Sequence, residues 1–228
     1  MNNDFDTMEN ICNELFNRYP KLNSCRNSIE NSFYILVKSI KNGGTVYIAG
    51  NGGSASDSEH IVGELMKSFN SKRTVSSVLA NALRRYGSLG EKLATSLEGG
   101  IPAISLPSLT SLSTAIINDT EAENIYAQML VGLGKTNDVF WAISTSGNSQ
   151  NIIRAALVAK AKGMKVIGMC GQKLSLLDQY SDVVIHVPEI ETYKIQELHL
   201  PIYHTICAML ESNFFSQSDE IEVSKLCI

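Results

Sequence analysis

Apolar side chains recur at helical spacing near the start of the chain, at Phe5, Met8, Ile11 and Leu15, and again at Leu22, Cys25, Ile29, Phe33, Leu36, Val37 and Ile40. That spacing lines one helix face and predicts two N-terminal helices, over 5–18 and 22–41, broken at Pro20. From residue 44 the pattern changes to short β-branched and aromatic runs set between turn residues: GGTVYIAG, IPAISLP, DVFWAIST, KVIGMCG and DVVIHVP. Continuous apolar runs of this length, without alternation, read as strands buried on both faces. Helical stretches separate them, SDSEHIVGELMKSF, AENIYAQMLVGLG, SQNIIRAALVAKAKG and SLLDQYS, and a longer helix is expected from about Glu191 to Phe215.

Strands alternating with helices require crossover connections, so the pattern predicts an α/β fold with a parallel sheet covered on both faces. Two places interrupt it. Residues 71–98 form an unusually long connection with a helical period in the second half, read as a helical insertion. Pro201 falls inside the last helix, where a missing N–H predicts either a late start or a kink.

Composition narrows the class. With 228 residues, 44% hydrophobic and 18% charged, the chain can bury a substantial core and is expected to form a single domain over 1–228, with N-terminal helices about 5–41 and an α/β core about 44–215. A net charge of -4 opposes binding to nucleic acid or an anionic membrane. The cysteines, Cys12, Cys25, Cys170, Cys207 and Cys227, are scattered without a CxxC pair, which points to reduced thiols rather than a disulfide or Cys-rich zinc framework. The start MNNDFDTMEN lacks the features of a signal peptide, and no apolar segment reaches the ~18 residues that span a bilayer. A cytoplasmic protein is expected.

Two strands run into serine-rich loops that enter helices, YIAG followed by NGGSASDSEH and WAI followed by STSGNSQNIIRAAL. Ligands of open α/β sheets sit at the carboxyl ends of strands, and helix N-termini there offer free N–H groups to an anion. Gly52, Gly53 and Gly147 would allow close backbone approach, and Ser54, Ser144, Thr145, Ser146 and Ser149 would supply hydroxyls, so a phosphate is the natural guest. Each loop alone would also serve as a plain helix cap, with Ser56 to Ser58 capping the first helix. Neither fits a nucleotide fingerprint.

His60 and Glu64, at i and i+4, share a helix face and can ligate a metal or position a base. A second polar set, Gln196, Glu197, His199 and His204, lies near the end of the chain. His186 is read as a core or sheet-edge side chain, His199 as structural, Cys170 as a small buried hydrophobe, and Lys72, Arg73, Arg84 and Arg85 as solvated surface charge.

Taken together, NGGSASDSEHIVGEL, ISTSGNSQNII and IQELHLPIYH, in this order, closely resemble the phosphoheptose (sedoheptulose 7-phosphate) isomerases of the SIS domain superfamily, over roughly residues 30–212. The resemblance implies a three-layer sandwich with a five-stranded parallel sheet in flavodoxin-like order, and a homotetramer with interfacial active sites. It implies conversion of D-sedoheptulose 7-phosphate to D-glycero-D-manno-heptose 7-phosphate, and zinc. The implied metal ligands are His60, Glu64, Gln196 and His204. The implied substrate contacts are Asn51, Gly52, Gly53, Glu64, Asn118, Asp119, Ser144, Thr145, Ser146, Ser149 and Gln196. Glu64 suits the base and His204 the acid of an enediolate mechanism. The chain departs from the family pattern in the 71–98 insertion and at Tyr193, which stands where some members carry aspartate. A non-catalytic SIS protein that binds the replication initiator or a phosphosugar, and an isomerase of another sugar phosphate, are the alternatives.

Overall fold

The computed structural model describes residues 8–215; Phe5 and Cys227 lie outside them. α1 (Met8–Arg18) runs into a 3-10 turn over Pro20–Cys25 and then α2 (Arg26–Lys41). The second predicted helix thus starts four residues later than its apolar period. Pro20, lacking an N–H, opens a tight turn in which Leu22 and Cys25 already face the core.

β1 (Val46–Ala49) leads to α3 (Gly53–Met66). The insertion is a pair of helices, α4 (Ser77–Arg84) and α5 (Gly87–Ser96), whose ends are drawn together by a bridge between Thr74 and Glu98. β2 (Ala103–Ser105) is followed by α6 (Thr110–Asp119), a helix absent from the sequence reading because its run TSLSTAIIND is rich in Ser and Thr. Then come α7 (Ile125–Leu133), β3 (Val139–Ile143), α8 (Gln150–Ala161), β4 (Lys165–Cys170), α9 (Leu177–Tyr180), β5 (Val183–His186) and α10 (Thr192–Phe215). α10 starts at Thr192, well before Pro201, so of the two expectations the late start is not seen. It continues through the proline, and the Thr205 hydroxyl donates to the Pro201 carbonyl at 2.8 Å.

All five strands pair in parallel, in the order β2-β1-β3-β4-β5. Alternate side chains of each strand serve opposite layers. Val46, Ile48, Val139 and Trp141 join the core formed with α1, α2 and α10, while Tyr47, Ala49, Phe140 and Ala142 join the one formed with α7 and α8. The architecture is therefore the expected three-layer sandwich, and strand order reverses between β1 and β3. There the carboxyl ends of the two strands open a crevice, the usual ligand position in such sheets. Cys12, Cys25, Cys170 and Cys207 are free and buried, and no described helix is long and apolar enough to cross a membrane.

Candidate active site

Both polar loops line this crevice. Gly52, at φ 55°, turns the chain out of β1, and α3 begins at once at Gly53. The expected cap over Ser56 to Ser58 is therefore wrong. The Ser56 N–H is already taken by the Gly52 carbonyl, and the Ser58 hydroxyl is buried, donating to the Ala55 carbonyl and meeting Ser105 Oγ at 2.8 Å. Asn51 and Asn151, the latter in the first turn of α8, form a reciprocal amide pair across the crevice at 2.8 and 3.0 Å. The Tyr126 hydroxyl donates to the Gly50 carbonyl at 2.9 Å from below.

In the second loop Ser144 Oγ and Ser149 Oγ lie 3.1 Å apart, and Ser146 Oγ accepts the Asn148 N–H. Ser144 is buried, Thr145 half-buried and Ser146 exposed, so the loop presents hydroxyls at several depths. Gly147, at φ 65°, lies against Ser175, whose N–H and hydroxyl are both held by Asp178 Oδ2. Asp178 in turn accepts from His186 Nε2 at 2.7 Å, and His186 Nδ1 reaches the Gly171 carbonyl. His186 is thus the sheet-edge side chain expected, and through Asp178 it supports the serine loop from behind.

The candidate ligating and acid–base groups gather about two to three turns into α3, where His60 and Glu64 are met by His204 from α10. Ligand atoms of His60, Glu64 and His204 all lie within 4.8 Å of one another. His60 Nε2 is 3.1 Å from Glu64 Oε1 and 3.4 Å from His204 Nε2. The Glu64 side chain is 12% exposed; its Oε2 has no hydrogen-bond partner, and Lys67 Nζ stands 3.8 Å from it. Burial, then the neighbouring His60, lowers the pKa of His204, which favours a neutral imidazole with a lone pair to offer. Two imidazoles and a carboxylate with an oxygen to spare, converging on one point, fit a borderline metal such as zinc.

Gln196 extends over the first loop: a Cβ on Gly53 would meet its amide at 2.7 Å. Asn118 and Asp119, at the end of α6, are exposed and bonded to each other at 2.7 Å, with no hydrogen bond from them to either loop. Tyr193 is exposed at the start of α10. His199 is fully buried, as a structural residue should be, and neither ring nitrogen makes a well-formed hydrogen bond.

Several contributors escaped the sequence reading. The Tyr203 hydroxyl meets His60 Nδ1 at 3.1 Å and donates to Asp57 Oδ1 at 3.3 Å. Asp57 stands three residues before His60 and was legible as part of the same helix face; Tyr203 adjoins His204 but carries no motif of its own. Arg73, read as solvated, is 1% exposed and bonded to Glu211. Its burial could not be seen from a basic pair in a polar run.

The SIS domain family model matches residues 13–99 and 99–171. A phosphoheptose isomerase of Helicobacter pylori (strain P12) is 34% identical over 193 residues, 85% of this chain and 88% of that protein. Phosphoheptose isomerase 2 of Campylobacter jejuni is 36% identical, covering 83% and 82%. The solved phosphoheptose isomerases of Francisella tularensis and Neisseria gonorrhoeae superpose with TM-scores of 0.71 and 0.65 at 26% and 27% identity, covering 86% and 82% of this chain and 91% and 86% of theirs. With its sheet order and paired loops, the chain belongs to the phosphoheptose isomerase family of SIS domain proteins.

Proposed function

We propose that the chain isomerises D-sedoheptulose 7-phosphate to D-glycero-D-manno-heptose 7-phosphate. The observation that carries this reading is the convergence of His60, Glu64 and His204 at one end of the crevice, with the hydroxyl-rich loop Ser144–Ser149 at the carboxyl end of β3.

The ketose-to-aldose conversion removes a C1 proton, passes through an enediolate and returns a proton at C2. Glu64 takes the C1 proton, a role supported by its low exposure of 12% and by an oxygen without a hydrogen bond. His204 moves a proton at the sugar oxygens and at C2. Asn51, Gly52, Gly53 and Ser54, with Gln196 beside them, orient the sugar, and Ser144, Thr145, Ser146 and Ser149 hold the remote phosphate as a binding handle. Asn118 and Asp119 complete the substrate contacts. His60, Glu64, Gln196 and His204 would hold a zinc ion, which when bound supplies Lewis-acid polarisation of the substrate oxygens.

The His60 side chain is 44% exposed in the single chain, leaving the site open on one side, which supports closure by neighbouring subunits of a homotetramer. A single SIS domain and a cytoplasmic compartment belong to the same reading.

The test is a direct assay of the purified, zinc-supplemented protein against heptose, hexose and pentose phosphates. Turnover of the heptose pair is expected. Binding of sugar phosphate without turnover would move the protein to the non-catalytic branch of the family, and preference for a shorter sugar would reassign its substrate.

A further inference from the structure

The base of the helical insertion is built around an ion pair that the isomerase chemistry does not use. Arg73 Nε donates to Glu211 Oε1 at 2.6 Å, and the two side chains are 0% and 3% exposed. The guanidinium also reaches back to α3, Nη2 donating to the Glu64 carbonyl at 2.9 Å and Nη1 to the Leu65 carbonyl at 2.7 Å. These are last-turn carbonyls, which lack helical partners and carry the negative end of the helix dipole, so a cation is well placed there. On the other side, Glu211 accepts the N–H groups of Phe69, Asn70 and Ser71 at 2.8, 2.7 and 3.0 Å. The Arg73 carbonyl accepts from Gly99, beside the Thr74–Glu98 bridge that closes the insertion.

One buried pair thus joins three things: the end of α3 carrying Glu64, the helix α10 carrying His204, and the root of the α4–α5 insertion. Desolvation of two buried charges largely offsets their attraction, so net stability is a poor account of such a pair. Its geometry is specific. The guanidinium fork fixes the backbone of Glu64 itself, and the carboxylate that holds the fork belongs to the helix of His204.

We infer that Arg73 and Glu211 are a positioning pair for the isomerisation, setting the separation of Glu64 and His204 while the phosphate end of the crevice is held independently by the serine loop. The inference rests on the reading of Glu64 and His204 as the proton-transfer residues.

Arg73→Lys keeps the charge but loses the fork, and Glu211→Gln keeps an acceptor but loses the charge. Steady-state kinetics of both full-length variants beside the wild type, with circular dichroism to confirm folding, separate the effects. The expected result is folded protein with kcat reduced about tenfold or more, as misplacement of about 1 Å suffices to do, and KM changed less than about threefold. The double variant Arg73→Met with Glu211→Gln buries no unpaired charge and should show the same split. Folded variants with wild-type kcat would overturn the proposal, as would loss of folding in all three, which would make the pair structural only. Wild-type turnover in the same assay isolates the inference: an inactive wild type sinks the isomerase reading and this proposal with it, whereas an active wild type with unaffected variants sinks the positioning role alone.

Discussion

The Tyr203 hydroxyl stands 3.1 Å from His60 Nδ1 and 3.3 Å from Asp57 Oδ1. Because an ionised carboxylate only accepts, the hydroxyl donates to Asp57 and is left free to accept from an Nδ1–H, the His60 tautomer that would leave the Nε2 lone pair for a metal shared with Glu64 and His204. Burial, and then the charge of Asp57, pushes the Tyr203 hydroxyl pKa up, so it keeps its proton. The relay is the kind of outer support that metal-ligating histidines use.

Tyr203→Phe removes the acceptor without changing the ring. Zinc affinity should fall about 10- to 100-fold, the usual effect of losing such support. Competition against a chelating dye measures it, and an unchanged affinity would show that His60 is oriented without Tyr203.

Gly147→Ala tests the phosphate end. Its φ of 65° is costly for alanine, and the added Cβ would lie 2.0 Å from Ser175 Oγ, which Asp178 holds in place. The loop must shift, so KM for the sugar phosphate should rise about tenfold, from the ~1–2 kcal/mol of a strained left-handed residue. The serine hydroxyls carry no part of the proton transfer, so kcat should change much less. A fall in kcat with unchanged KM would refute the division of labour between the two ends.

The sheet was legible because each strand, buried on both faces, is a continuous apolar run between turn residues; Val139–Ile143, buried throughout, shows the pattern undiluted. α6 was not, since its Ser and Thr residues also suit a loop, and only Ile116 is buried. The i, i+4 spacing placed His60 and Glu64 on one face, but nothing local in the sequence brings His204 to them. That takes the packing of α10 on α3, which the family resemblance anticipated. Arg73 shows the complementary failure: charge patterning reads a basic residue as solvated unless its partner is known, and Glu211 is far away along the chain.

Glu64→Gln should abolish turnover, by at least about 10²-fold as expected for loss of a general base. Binding of the sugar phosphate, measured by isothermal calorimetry, should remain within a few-fold because the serine loop is untouched. His60→Ala separates ligation from proton transfer. It should lose the zinc, about one ion per chain, leaving Glu64 in place. A His60→Ala protein that keeps its zinc would refute the ligand assignment, and a metal-free one with full activity would refute the metal's part in the reaction.

His199 gives a pH prediction that does not depend on the reaction. Its ring is fully buried with no well-formed hydrogen bond to either nitrogen, and burial pushes its pKa down to about 4, a loose hydrogen-bonding approach to the Cys170 backbone opposing the shift only in part. The folded protein therefore holds His199 neutral, while the unfolded chain takes up the proton below about pH 6.5. The unfolded state binds more protons between those values, so stability is full above pH 6.5 and is lost as the pH falls towards 4. The loss amounts to about 3 kcal/mol from this one residue. His204, also lowered, adds to it with the same sign. Leucine is similar in volume and has no group to titrate. His199→Leu should accordingly flatten the difference between urea unfolding free energies at pH 7.5 and pH 4.5, by an amount approaching that estimate. An equal acid loss in both proteins would mean that the buried imidazole is relieved by protein relaxation or water entry, and the acid sensitivity would then have to be sought in other groups.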